Sequence, residues 1–156
     1  MTGIDISVSV EHAQKMLKAV DKGITLDKML KMVGIEHLQW VDKNFENQGT
    51  EKKWAPLSGR TILARRKGKK KRLGTKILID TGDLRKSFLY PGGVLKRGYN
   101  FITVGTTKEY ASTHEFGDSG RHVPQRKILP KDKTAETLAQ KILQAYVDKV
   151  TKDAGT

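Results

Sequence analysis

Residues 132–152 read DKTAETLAQKILQAYVDKVTK, and their spacing decides how the rest of the chain is read. Ala135, Leu138, Ala139, Ile142, Tyr146 and Val150 fall on one stripe at about 100° per residue, the signature of an amphipathic helix with one face on a core. Working back from it, residues 101–104 (FITV) predict a strand. It is expected to pair with the segment at 88–95 through turns at Pro91-Gly92-Gly93 and Arg97-Gly98. Near the start, Ile4, Ile6, Val8 and Val10 alternate with polar residues and predict a short edge strand. A helix is expected over 11–22, stopped by Gly23. Thr25 can cap a second one, whose Leu26, Met29, Leu30, Val33, His37, Trp40 and Val41 share a stripe and which ends at Gln48-Gly49. Gly34 lies inside that helix, where glycine costs about 1 kcal/mol relative to Ala, and is read as permitting close approach of another backbone. The expected class is α+β: a small, mostly antiparallel sheet packed against a long C-terminal helix, with N-terminal helices before it, all in one domain over 1–156.

Between these elements, residues 50–76 contain Pro56, several glycines and no sustained periodicity, and are read as an extended basic loop. Nine cations stand in it without one acid between 60 and 76: Arg60, Arg65, Arg66, Lys67, Lys69, Lys70, Lys71, Arg72 and Lys76. They supply about two thirds of the net charge of +13. Such a segment suits phosphates or an acidic protein partner. It holds no aromatic residue, so base stacking is not expected, and contact with nucleic acid would be sequence-independent. The blander reading is a solvated loop.

Catalysis has no signature in the chain. Its histidines, His12, His37, His114 and His122, form no HExxH pattern, and there is no cysteine, so neither a disulfide nor a thiolate metal site is possible. No GxSxG, P-loop or GxGxxG is present. We expect no cofactor, no metal and no enzymatic activity. No apolar run approaches bilayer-spanning length, and neither a signal peptide nor a membrane association is expected.

The segment 81–83 (Thr-Gly-Asp) reads as a corner in which Gly82 takes positive φ and Thr81 or Asp83 caps a short helix through Leu84 to Ser87, although a strand start also fits. Tyr110, Ala111, His114 and Phe116 suggest a helical turn ended by Gly117, with Tyr110 and His114 on one side for core packing or a subunit contact. Pro124 and Arg126 precede the last helix, where a forked cation can hold a loop against a neighbour's carboxylate.

Four motifs in order carry a resemblance: WAPLS from Trp54 through Pro56 and Leu57 with Thr61 beyond; KILIDTGDLRKS at 76–87; VGT around Gly105 with Tyr110-Ala111; and HEFG at His114 to Gly117 leading to VPQR at 123–126. Together the chain resembles the phage virion morphogenesis family, the Mu-like and tail-completion proteins of the head–tail neck. Glu115 stands where that pattern often has Gln, and Lys127-Ile128-Leu129 where an aromatic–Leu pair usually follows. The resemblance implies a homo-oligomeric ring, hexameric, that completes the tail or joins it to the connector, with neck and tail-tube proteins as partners and DNA in the lumen as a possible contact. It implies a place in the virion, reached by assembly in the host cytoplasm. The alternative from charge alone is a stand-alone nucleic-acid-binding protein working through residues 60–76.

Overall fold

A computed structural model describes residues 4–9, 26–67, 75–89 and 92–154. Strand β1 (Ile4–Ser9) is followed by helix α1 (Leu26–Glu46), helix α2 (Gly59–Lys67) and a single turn of helix, α3 (Asp83–Lys86). Strands β2 (Val94–Arg97) and β3 (Phe101–Thr106), helix α4 (Tyr110–Phe116) and the long helix α5 (Asp132–Ala154) complete the order. The class is α+β, as expected.

The sheet has the order β1-β3-β2 and is antiparallel throughout. Ile4 pairs with Thr106 and Ser9 with Phe101, so the first strand is an edge strand laid on the last one. On the other side Arg97 pairs with Ile102 and Val94 with Val104, with a bulge between Val94 and Lys96. Phe88, anticipated near the start of that hairpin, instead follows α3 and is buried in the core.

Two apolar clusters hold the layers together. Met29, Leu30, Val33 and Leu38 of α1 meet Ile102 and Val104 of β3 and Ala139 and Leu143 of α5. The alternation of β3 aims these residues at α1, and the stripe of α5 closes the same cluster from the other helix. The second cluster gathers Ile4, Val41, Phe45, Trp54, Ile79, Leu84, Phe88, Ala111 and Ile128. Phe45 is its centre: Trp54 stands edge-on to it at 5.4 Å and Phe88 lies tilted at 6.1 Å. Full burial of each such ring stabilises by about 2–3 kcal/mol.

Helix α1 ends where expected, with Gln48 (φ 54) and Gly49 (φ 104) turning the chain. Gly34 does permit a close approach, but by a side chain: a Cβ there would lie 2.5 Å from Ile102 Cδ1, so the sheet rather than a backbone sits against it. His37 is fully buried on the same helix, its Nδ1 2.7 Å from Val33 O. The helix anticipated at 11–22 and the Thr25 cap lie outside the described residues.

The stretch 50–76 departs from an extended loop. Its described part contains α2, begun by Ser58, whose Oγ accepts the Thr61 amide at 3.2 Å. None of the residues of α2 is buried, so no apolar periodicity marked it. The ambiguous 76–87 segment resolves as a turn into helix. Gly82 is itself the N-cap, at φ 85, without a side-chain cap bond. Thr81, one residue before it, donates its hydroxyl to Asp83 Oδ2 at 2.8 Å and accepts the Asp83 amide at 3.4 Å, a weak bond to the first residue of the helix.

Candidate functional site

The polar residues of the four motifs hold backbone groups of distant segments. Trp54 Nε1 donates to the carbonyl of Lys127 at 2.8 Å. Arg126 is buried, and its guanidinium donates from Nε to Ala55 O at 3.0 Å and from Nη2 to Pro56 O at 3.1 Å. It thus fastens the 54–57 strap onto the segment before α5. The expected carboxylate partner is replaced by two carbonyls of its own chain, which the forked guanidinium satisfies together. Glu115 is buried, and a single oxygen, Oε2, accepts the amides of Ile128 at 2.6 Å and Leu129 at 3.2 Å. Its Oε1 lies 3.4 Å from Lys127 Nζ. Since one oxygen makes both backbone bonds, a side-chain amide has an acceptor for the same task, which rationalises Glu standing where the family pattern often has Gln.

Asn44 completes this hub. It is buried on α1 and donates from Nδ2 to Lys127 O and Ile128 O, both at 3.0 Å, while its Oδ1 accepts the Thr50 amide at 2.7 Å. Sequence reading passed over it, although a polar residue three positions past Val41 on an apolar stripe signals a buried, satisfied group. Gln48 joins the hub to the 76–87 corner by accepting the Ile77 amide. The remaining motif residues are structural as well. Ser87 Oγ is 2.7 Å from Leu84 O and 2.6 Å from Thr106 Oγ1, Gly105 donates to Gly93 O at 2.8 Å, and Gly117 takes φ 80 against the 123–125 backbone.

Around the hub the same segments leave an open groove of about 1230 Å³. Pro56 and Leu57 come from the strap, Arg60 and Arg65 from α2, Leu78 and Leu84 from the corner, and His114, Arg121, His122, Pro124 and Arg126 from the region beyond α4. All four motifs except the VGT strand contribute to its lining. Two acids lie in it, each with a cation: Asp80 is 3.5 Å from Arg65 Nε, and Asp118 is 2.6 Å from Arg121 Nε. Burial, with the nearby charges of Arg126 and Arg121, pushes the His114 imidazole below its ordinary value, so it is neutral at neutral pH. Tyr110, expected beside it, is exposed on α4.

Five of the nine cations of the basic segment lie in the described residues. Arg60 and Arg65 line the groove, and Arg65 also donates to Lys76 O at 2.7 Å. Arg66, Lys67 and Lys76 are exposed. Lys69, Lys70, Lys71 and Arg72 lie outside the described residues. Among the described residues there is no group of three acidic or histidine side chains placed to hold a metal ion, and no helix long and apolar enough to cross a membrane.

The molecule is a small α+β module whose motif side chains clamp backbone beside an open groove. The chain matches the model of the phage virion morphogenesis family over residues 8–148, nearly its whole length, and it belongs to that family. Its role is therefore structural, in the phage virion. No curated protein and no solved structure matches it.

Proposed function

We propose that this protein is the subunit of a closed ring of six copies at the head–tail neck or the tail terminus, where it completes the tail and joins it to the head. The observation that carries the reading is the division of labour within the motifs. Their polar side chains hold backbone in place, while their outer surfaces form one open groove. That is the layout of a rigid part made to meet other parts. Identical subunits joined by a heterologous contact that closes form such a ring, and each copy would bring its α2 cations to the same circle. Connector, neck and tail-tube proteins are the partners in this reading, assembly takes place in the host cytoplasm, and DNA passing through the lumen meets the concentrated positive charge of the 60–76 segment.

Imaging of particles carrying an affinity label on this chain tests the placement. The expected result is label confined to the head–tail boundary or the tail end, in one ring per particle. Label spread over the capsid shell, or absent from mature particles, would remove the proposal.

A further inference from the structure

We propose that the groove between α2, the 76–84 corner and the 117–126 turn is a docking slot for an extended, acidic, apolar-anchored segment of another virion protein. The inference rests on the structural role of the family, and names the surface and the chemistry by which a partner is held. The groove's charge comes first. Arg60, Arg65, Arg121 and Arg126 share one lining with Asp80 and Asp118, four formal positive charges against two negative. Asp80 and Asp118 each lie beside an arginine, so the surplus is offered by the rim, where Arg60 is exposed. Carboxylates of an incoming chain complement that rim.

The floor argues for a peptide over a nucleic acid. Leu57, Leu78, Leu84 and Val123 line it with two prolines, a surface that takes apolar side chains and gives a phosphate nothing. No Phe, Tyr or Trp lies in the lining for a base to stack on. A phosphate backbone laid in the groove would run past Asp80 and Asp118, whereas alternate side chains of an extended peptide can reach the floor and the rim separately. At about 1230 Å³ the groove also exceeds the roughly 300–1,000 Å³ of ordinary small-molecule sites.

The slot is preformed. Two of the non-glycine residues at positive φ, Leu78 (φ 57) and His122 (φ 53), stand in its walls. Each such position costs about 1–3 kcal/mol and persists where the surrounding contacts dictate it. Here the Asp118–Val123 bridge and the burial of Leu78 do so.

The test uses the full chain and fluorescent peptides of about eight residues that alternate Asp or Glu with Leu, Val or Phe. Matched peptides with Lys in place of the acids, and a short DNA duplex, serve as competitors. Binding of an acidic–apolar peptide is expected, weakened at least about tenfold by the double change Leu57→Asp and Arg60→Glu. The remote exposed change Lys133→Glu is expected to leave it unaltered, and all variants to melt together. No binding by any acidic–apolar peptide, equal binding by the double variant, or duplex binding abolished by that variant would overturn the proposal. Native mass on the same samples separates it from the ring reading. A monomer that binds the peptide supports the slot whether or not a ring forms, and an oligomer dissolved by the double variant would show that a second copy fills the groove, overturning the slot.

Discussion

The hub around Ile128 and the helix α2 are neighbours in one molecule and opposites in construction. In the hub, Asn44, Trp54, Glu115 and Arg126 each satisfy main-chain groups far away in sequence, and most of their atoms are shielded from water. In α2 none of the nine residues is buried, and Arg60, Arg66 and Lys67 are exposed, while Arg65 is held by Asp80 and by the carbonyl of Lys76. A short helix without a buried face gains little from packing, and one this short is marginal in isolation. The difference teaches where stability resides: polar groups in the hub fix the fold, whereas Arg60, Arg66 and Lys67 of α2 stay exposed to solvent.

The sharpest way to break this contrast is to remove the hub's carboxylate. Glu115→Ala leaves the amides of Ile128 and Leu129 without an acceptor beneath the strap, and each unsatisfied buried amide costs about 1–3 kcal/mol. We expect a loss of about 3 kcal/mol or more in urea unfolding. Glu115→Gln keeps one oxygen for both amides and is expected to lose less than about 1 kcal/mol. Equal losses for the two changes would mean that the Lys127 ion pair, and not the backbone bonds, is what Glu115 supplies.

Acid comes next. Burial lowers the imidazole of His37, outweighing the carbonyls of Val33 and Ala135 that favour its charge, and the His114 imidazole is lowered too. Both therefore bind protons more readily in the unfolded chain than in the folded one. Stability is fully present above the ordinary histidine value of 6.5 and falls as pH drops from there toward the lower folded-state values. The melting temperature is expected to decline between about pH 7 and pH 5.5, with a shallower decline in His37→Gln. An unchanged slope in that variant would assign the pH effect elsewhere.

The smallest effect belongs to α2. Changing Arg60, Arg66 and Lys67 together to Gln is expected to shift stability by no more than about 0.5 kcal/mol, the ordinary range for exposed substitutions. A loss several times larger would mean that α2 helps to hold the fold.

The same contrast explains what could be read before any coordinates. Helices α1 and α5 bury one face each, and burial writes its period into the residues: Met29, Val33 and Val41 in one, Ala135, Ala139 and Leu143 in the other; the central strand β3, buried from Ile102 to Thr106, reads instead as a short apolar run. Helix α2 buries nothing and left no period to find. The hub was visible only as an ordered set of motifs. Its bonds join Asn44 to Ile128 and Trp54 to Lys127, and a side chain gripping a remote carbonyl has no local pattern. Arg126 was singled out as a clamp, yet the identity of its acceptors depended on how the strap at 54–57 folds back. Glu115 stood out solely as a departure from the family pattern. The groove, assembled from segments up to 70 residues apart such as Pro56 and Arg126, needed the fold itself.

The central claim is that these rigid subunits assemble into a ring through surfaces other than the hub. Native mass spectrometry of the purified protein, alone and mixed with the connector and tail-tube proteins of the same virion, tests it most directly. The account predicts a closed oligomer of six copies, alone or once a partner is added. A strict monomer that associates with no connector, neck or tail component under any of these conditions would contradict it.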